Sequence, residues 1–217
     1  VTGVAVAGFG GGAALVSQMA GRLMNGFSWS PFATFFFFGA IFLGCVVLGG
    51  LVMRNPAEGT AEQSAPLAFS KVLREPQFRL LYLAMISGLA AGFTINANLK
   101  ELFPNGSIQT GITAVALFAL ANALGRICWG WLADHIHALT AIRWNLAGQA
   151  AILLAAPLIL VSENGLLLYA LLAGFHYGGV LVLYAATVAG IWGHRHVGQV
   201  YGWLFSANIP AALAPLL

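Results

Sequence analysis

Seven apolar stretches, each close to the length of one membrane crossing, occupy most of this chain. They run over about 1–20, 31–53, 78–99, 109–132, 141–161, 166–192 and 199–217. A helix needs roughly 20 apolar residues to cross a hydrocarbon core of about 30 Å. In lipid every backbone polar group must be satisfied inside the segment, which restricts such stretches to helices. The 217 residues are 60% hydrophobic and only 7% charged, against about 25% charged in an ordinary globular domain. Mean hydropathy is +0.88. The expectation is an all-α, integral membrane helical bundle of about seven transmembrane helices.

Turn chemistry separates the spans: Asn25-Gly26, Asn55-Pro56, Pro104-Asn105-Gly106, Glu163-Asn164-Gly165 and Gly193. Glycine is also common inside them, as in Gly8-Phe9-Gly10-Gly11-Gly12. In a soluble helix each would cost about 1 kcal/mol, whereas in lipid small residues let helix backbones approach. Lys and Arg set the orientation. Arg54, Lys71, Arg74, Arg79, Arg143 and Arg195 fall in alternate loops, and only Arg22 and Lys100 in the others. Loops 54–77, 133–141 and 193–198 are therefore expected to be cytoplasmic, in a multi-pass protein of a bacterial-type inner (plasma) membrane.

The longest loop, 54–77, holds Pro56, Pro66 and Pro76. Phe69, Val72 and Leu73 recur at helical spacing, with Lys71 and Arg74 free for lipid headgroups, so Pro66 to Phe78 reads as a short amphipathic helix along the cytoplasmic surface. The loop divides the chain into 1–53, the last two helices of one bundle; 54–77, an inter-bundle linker; and 78–217, a second bundle truncated in its fifth helix. The chain opens on Val1 without a signal-peptide pattern and stops inside an apolar stretch, so it reads as an internal piece of a longer membrane protein.

One charge stands inside this apolar matter. Arg126 lies in Leu124-Gly125-Arg126-Ile127-Cys128-Trp129-Gly130-Trp131-Leu132-Ala133-Asp134. On insertion scales a central arginine costs roughly 2.5–3.5 kcal/mol. It lies eight residues before Asp134, which is about 12 Å along a helix axis at 1.5 Å per residue. A guanidinium presents paired donors matched to a carboxylate, and no Asp or Glu sits in the middle of any span. Arg126 therefore reads as an anchor for an anionic substrate; the alternative is a structural arginine satisfied by helix carbonyls.

His176 and Tyr177 lie within the sixth span. The histidine can relay protons or bond a carboxylate, or it can be a satisfied helix contact. Tyr82 and Asn96 in the third span, Asn122 in the fourth and Asn208 in the seventh add polar groups. Each alone reads first as glue between helices, and together they suggest a polar cavity. At the cytoplasmic end of the fourth span, Gly130 and Asp134 suit a tight turn in which Asp134 caps a helix or pairs with a base such as Arg143.

Soluble-enzyme chemistry does not emerge. His135-Ile136-His137 and His194-Arg195-His196 lie in short loops, and histidines two apart do not face one another on a helix. No nucleophile elbow or P-loop occurs. Cys45 and Cys128 have no partner at metal or disulfide spacing. No enzyme activity, metal, cofactor or nucleic-acid partner is expected. Membrane lipids, a small carboxylate and protons are the expected partners. A seven-helix receptor and an integral-membrane enzyme are the rival classes.

Several segments together resemble an oxalate/formate antiporter-type member of the major facilitator superfamily. They are Gly26-Phe27-Ser28-Trp29, Glu75-Pro76-Gln77-Phe78, Ala91-Gly92-Phe93-Thr94-Ile95-Asn96, Asn122 through Asp134, Tyr177-Gly178-Gly179 and Gly198 through Ala207. The resemblance covers nearly the whole chain. It implies a twelve-helix fold of two bundles around an alternately accessible central site, with residue 1 in the fifth helix and residue 217 in the eleventh. It implies small carboxylates as substrates; the residues themselves leave open exchange or proton symport with His176 as carrier. Arg126 matches the family's carboxylate-binding arginine in the eighth helix, and Gly130, Asp134 and Arg143 match part of its cytoplasmic loop motif. The family's second cation, a lysine of the eleventh helix directly after a Ser-Ala pair, is replaced here by Asn208. A single cation suits a monocarboxylate better than a dianion, whose second charge would be buried without a partner.

Overall fold

The computed structural model describes residues 12, 15–16, 18–53, 65–103 and 106–216. Most of the first expected span, 1–20, and residues 54–64 of the linker lie outside them. All regular structure among the described residues is helical. The chain divides into two units, one of residues 15–65 and the other built on residues 66–216.

The first unit holds α1, helical over residues 18–26, and α2, Pro31–Val52. Pro31 occupies the first helical position, where its missing N–H costs nothing, and Ser30 Oγ accepts from the Ala33 amide at 3.2 Å. Within α2 only Thr34 and Phe38 are buried.

The second unit contains α3 (Phe69–Arg74), α4 (Pro76–Asn98), α5 (Ile108–Ile136), α6 (Ala138–Ile159), α7 (Glu163–Trp192), α8 (Val197–Phe205) and α9 (Asn208–Ala211). With α2, the helices α4, α5, α6 and α7 make five that are long and apolar enough to cross a membrane. They coincide with five of the seven expected spans.

Four boundaries depart from expectation. The amphipathic segment 66–78 is not one helix. Pro76 clashes with a helical residue before it, so Glu75 is extended (φ −68°, ψ 127°) and separates α3 from α4. The loop expected at 133–141 is almost entirely helical: α5 runs to Ile136 and α6 starts at Ala138, with His137 alone between them in the left-handed region (φ 67°). Glu163-Asn164-Gly165, read as a break, is instead the first turn of α7, because Ser162 Oγ accepts from the Gly165 amide at 3.1 Å and starts the helix three residues early.

The seventh expected span, 199–217, is not continuous. It is split into α8, α9 and a 3-10 turn over Ala214–Leu216. Pro210 has no N–H for the Ser206 carbonyl, and its ring crowds it. Ser206 Oγ and Asn208 Nδ2 donate to the Trp203 and Phe205 carbonyls at 2.8 and 2.7 Å, taking acceptors from the regular ladder.

The tightest helix pair is α5 with α7. A Cβ added at Gly174 or Gly178 would strike the main chain of Phe118 or Asn122. Only glycine at these two positions, one turn apart on α7, permits that approach, which in lipid supplies van der Waals packing where no hydrophobic drive exists between helices. Both ends of α7 are also tied. Glu163 accepts from the Ser107 amide at 2.8 Å and the Thr110 hydroxyl at 2.7 Å, the first turn of α5. Trp192 Nε1 donates to Glu75 Oε2 at 2.9 Å.

Candidate functional site

Arg126 points inward from α5 and is 1% exposed. Its Nε donates to Asn122 Oδ1 at 3.1 Å, one turn back on the same helix. The i, i+4 spacing alone brings the two side chains together. The close crossing of α7 at Gly178 lies against this turn, beside the Asn122 carbonyl and the Arg126 amide. Tyr177, next on α7, seats its ring on Gly92 of α4, with centroids 5.7 Å from Phe118 and 6.0 Å from Phe93. Tyr201, on α8, donates to the Leu181 carbonyl at 3.0 Å.

Three of the expected residues thus gather: Arg126, Asn122 and Tyr177. Two others lie elsewhere, near the break in the seventh span. Tyr82 on α4 shares a hydrogen bond with Ser206 at 3.1 Å, where the seventh span breaks, and Asn208 lies just beyond that break. Asn96 is exposed and joins neither group.

His176 is turned away from this group. Its ring rests on Gly148 of α6 and lies 5.4 Å from the Trp129 ring, while its carbonyl accepts from Asn145 Nδ2 at 2.8 Å. Gln149 continues the chain, donating to Asn145 Oδ1 at 3.3 Å. His176 Nδ1, Gln149 Oε1 and Trp129 Nε1 are buried and have no hydrogen-bond partner among the described residues. Asn145 and Gln149 were legible as candidates by the same signal as Asn122 and Arg126, polar residues four apart inside an apolar span, and the sequence reading passed over them. Ser206 and Tyr201 carried no such signal.

A cavity lies between α4, α6 and α7, lined by Gly92, Ile95, Gln149, Ile152, Ala173 and Tyr177 among others, with room for about one water molecule. Arg126 does not line it. The proposed cytoplasmic motif sits at the α5–α6 junction: Gly130 is half-buried, while Asp134 and Arg143 are exposed and form no salt bridge with one another.

A family model described as Major Facilitator Superfamily matches residues 1–215. The chain is 27% identical over 188 residues to "Uncharacterized MFS-type transporter YhjX" of Escherichia coli (strain K12), covering 79% of this chain and 45% of that protein. It is 32% identical over 111 residues to "Apicoplast pyruvate carrier 1" of Toxoplasma gondii, covering 48% of this chain and 20% of that protein. The chain therefore spans less than half the length of either relative.

Proposed function

The chain belongs to the Major Facilitator Superfamily, and from that premise we propose that it serves a secondary transporter of small organic anions, monocarboxylates in particular, working by alternating access. One observation carries the reading. A guanidinium is buried inside α5 and donates to the neutral amide of Asn122, at the turn where α7 crosses at Gly178 next to Tyr177. A guanidinium presents paired donors that match a carboxylate, and Asn122 and Tyr177 beside it add polar groups for such a substrate. Tyr82, Ser206 and Asn208 are proposed as a neutral polar lining near the break in the seventh span. Asn208 in place of a second cation supports a monoanion, and the name of the Toxoplasma relative points to the same substrate class.

In this reading, residues 1–53 close one bundle, 54–77 link, and 78–217 begin the other, with Gly130, Asp134 and Arg143 in the cytoplasmic gate. The seating of His176 on α6 favours exchange over proton symport through that residue. The test is uptake by the full-length protein in proteoliposomes, with a panel of labelled mono- and dicarboxylates. Arg126→Ala is expected to abolish uptake while the protein still inserts, and normal uptake by that variant would end the proposal.

A further inference from the structure

Six residues are too few for a helix to stand alone in water, yet α3 is formed. Its neighbours hold it. Val72 is 1% exposed, in the core with Phe78, Val200 and Leu204. Gln199 on α8 grips the chain just before it from both sides: its Oε1 accepts from the Leu67 amide at 3.0 Å, and its Nε2 donates to the Leu67 carbonyl at 2.9 Å. Phe69 meets the Trp203 ring edge-on at 5.0 Å, and Glu75, at the far end, is held by Trp192.

The outer surface of α3 differs from the inner. Phe69 and Leu73 keep 48% and 44% exposure. Lys71 and Arg74, one turn apart, are exposed, as is Arg79 in the first turn of α4. These three cations form no ion pair among the described residues. The nearest acid, Glu75, accepts the Trp192 indole with Oε2. α4 is long and apolar enough to cross a membrane and starts at Pro76, directly after α3; a crossing by α4 would set α3 at the edge of the hydrocarbon. Half-exposed apolar side chains beside unpaired cations, at that depth, match an interface of acyl chains and anionic headgroups.

We propose that α3, with Arg79, is a docking surface for anionic phospholipid. Lys71, Arg74 and Arg79 take headgroup phosphates while Phe69 and Leu73 enter the acyl boundary, so that the linker is fastened to the bilayer as well as to α8. This does not depend on what is transported. Native mass spectrometry of the full-length protein from mixed phosphatidylcholine and phosphatidylglycerol micelles reads it directly. Wild type is expected to retain phosphatidylglycerol in preference, and K71Q/R74Q/R79Q to retain at least threefold less. Equal retention would overturn the proposal. A second measurement leaves the cations intact. With the exposed Cys45 and Cys128 replaced by serine, a nitroxide at Leu73→Cys in phosphatidylglycerol nanodiscs is expected to relax more with oxygen than with a water-soluble nickel chelate. The reverse order would place α3 in water and overturn it equally.

Discussion

Arg126 and Asn122 are joined within a single helix: the guanidinium Nε donates to the amide Oδ1 at 3.1 Å, one turn apart on α5. An intrahelical partner four residues away helps to fix the rotamer of a buried cation.

Asn122→Leu keeps the volume and removes the acceptor. A hydrogen bond to a charged group is worth about 1.5–3 kcal/mol, so the variant is expected to lose roughly 10-fold or more in carboxylate uptake at low substrate concentration. Initial-rate uptake in proteoliposomes checks it. An unchanged rate would show that Asn122 does not position the guanidinium.

In the proposed reading, Asn208 takes the place of the lysine that the resemblance implies at this position. Asn208→Lys is expected to shift preference toward dicarboxylates, because a second buried charge then has a partner. Competition of unlabelled mono- and dicarboxylates against one labelled substrate reads the ratio. A constant ratio would count against the monoanion argument.

The α5–α7 crossing has no room for a side chain at Gly178. Gly178→Val must push the backbones apart, at a cost of about 1–3 kcal/mol typical of overpacking. Thermal melting in detergent is expected to fall by several degrees, and uptake with it, since the same turn carries Asn122 and Arg126. A melting temperature equal to wild type would contradict the close approach.

Trp192→Phe removes the indole N–H that meets Glu75 and retains an aromatic ring near Phe78, whose centroid lies 6.3 Å from the indole. The expected loss is about 1 kcal/mol, seen as a lower melting temperature and faster proteolysis after Lys71 and Arg74. Unaltered cleavage would mean that the tie does not hold α3.

The letters alone determined the solvent, the secondary structure and the place of each described crossing helix to within a few residues. Length and unbroken apolarity suffice for that, because lipid leaves the backbone no alternative to helix. They also singled out Arg126, since an isolated charge in such a stretch is costly enough to be conspicuous. The misplaced boundaries turned on local effects: Pro76 breaking α3 from α4 by its steric demand, Ser162 capping α7 early, His137 alone turning the chain, and Pro210 with Asn208 splitting the seventh span. Which polar residues keep company was a matter for tertiary structure. His176 and Tyr177 are adjacent in sequence, yet successive helix positions differ by about 100°. The His176 ring therefore packs against α6 and the Tyr177 ring against α4, and only the packing of α7 against its neighbours decided which of them shares a neighbourhood with the buried cation.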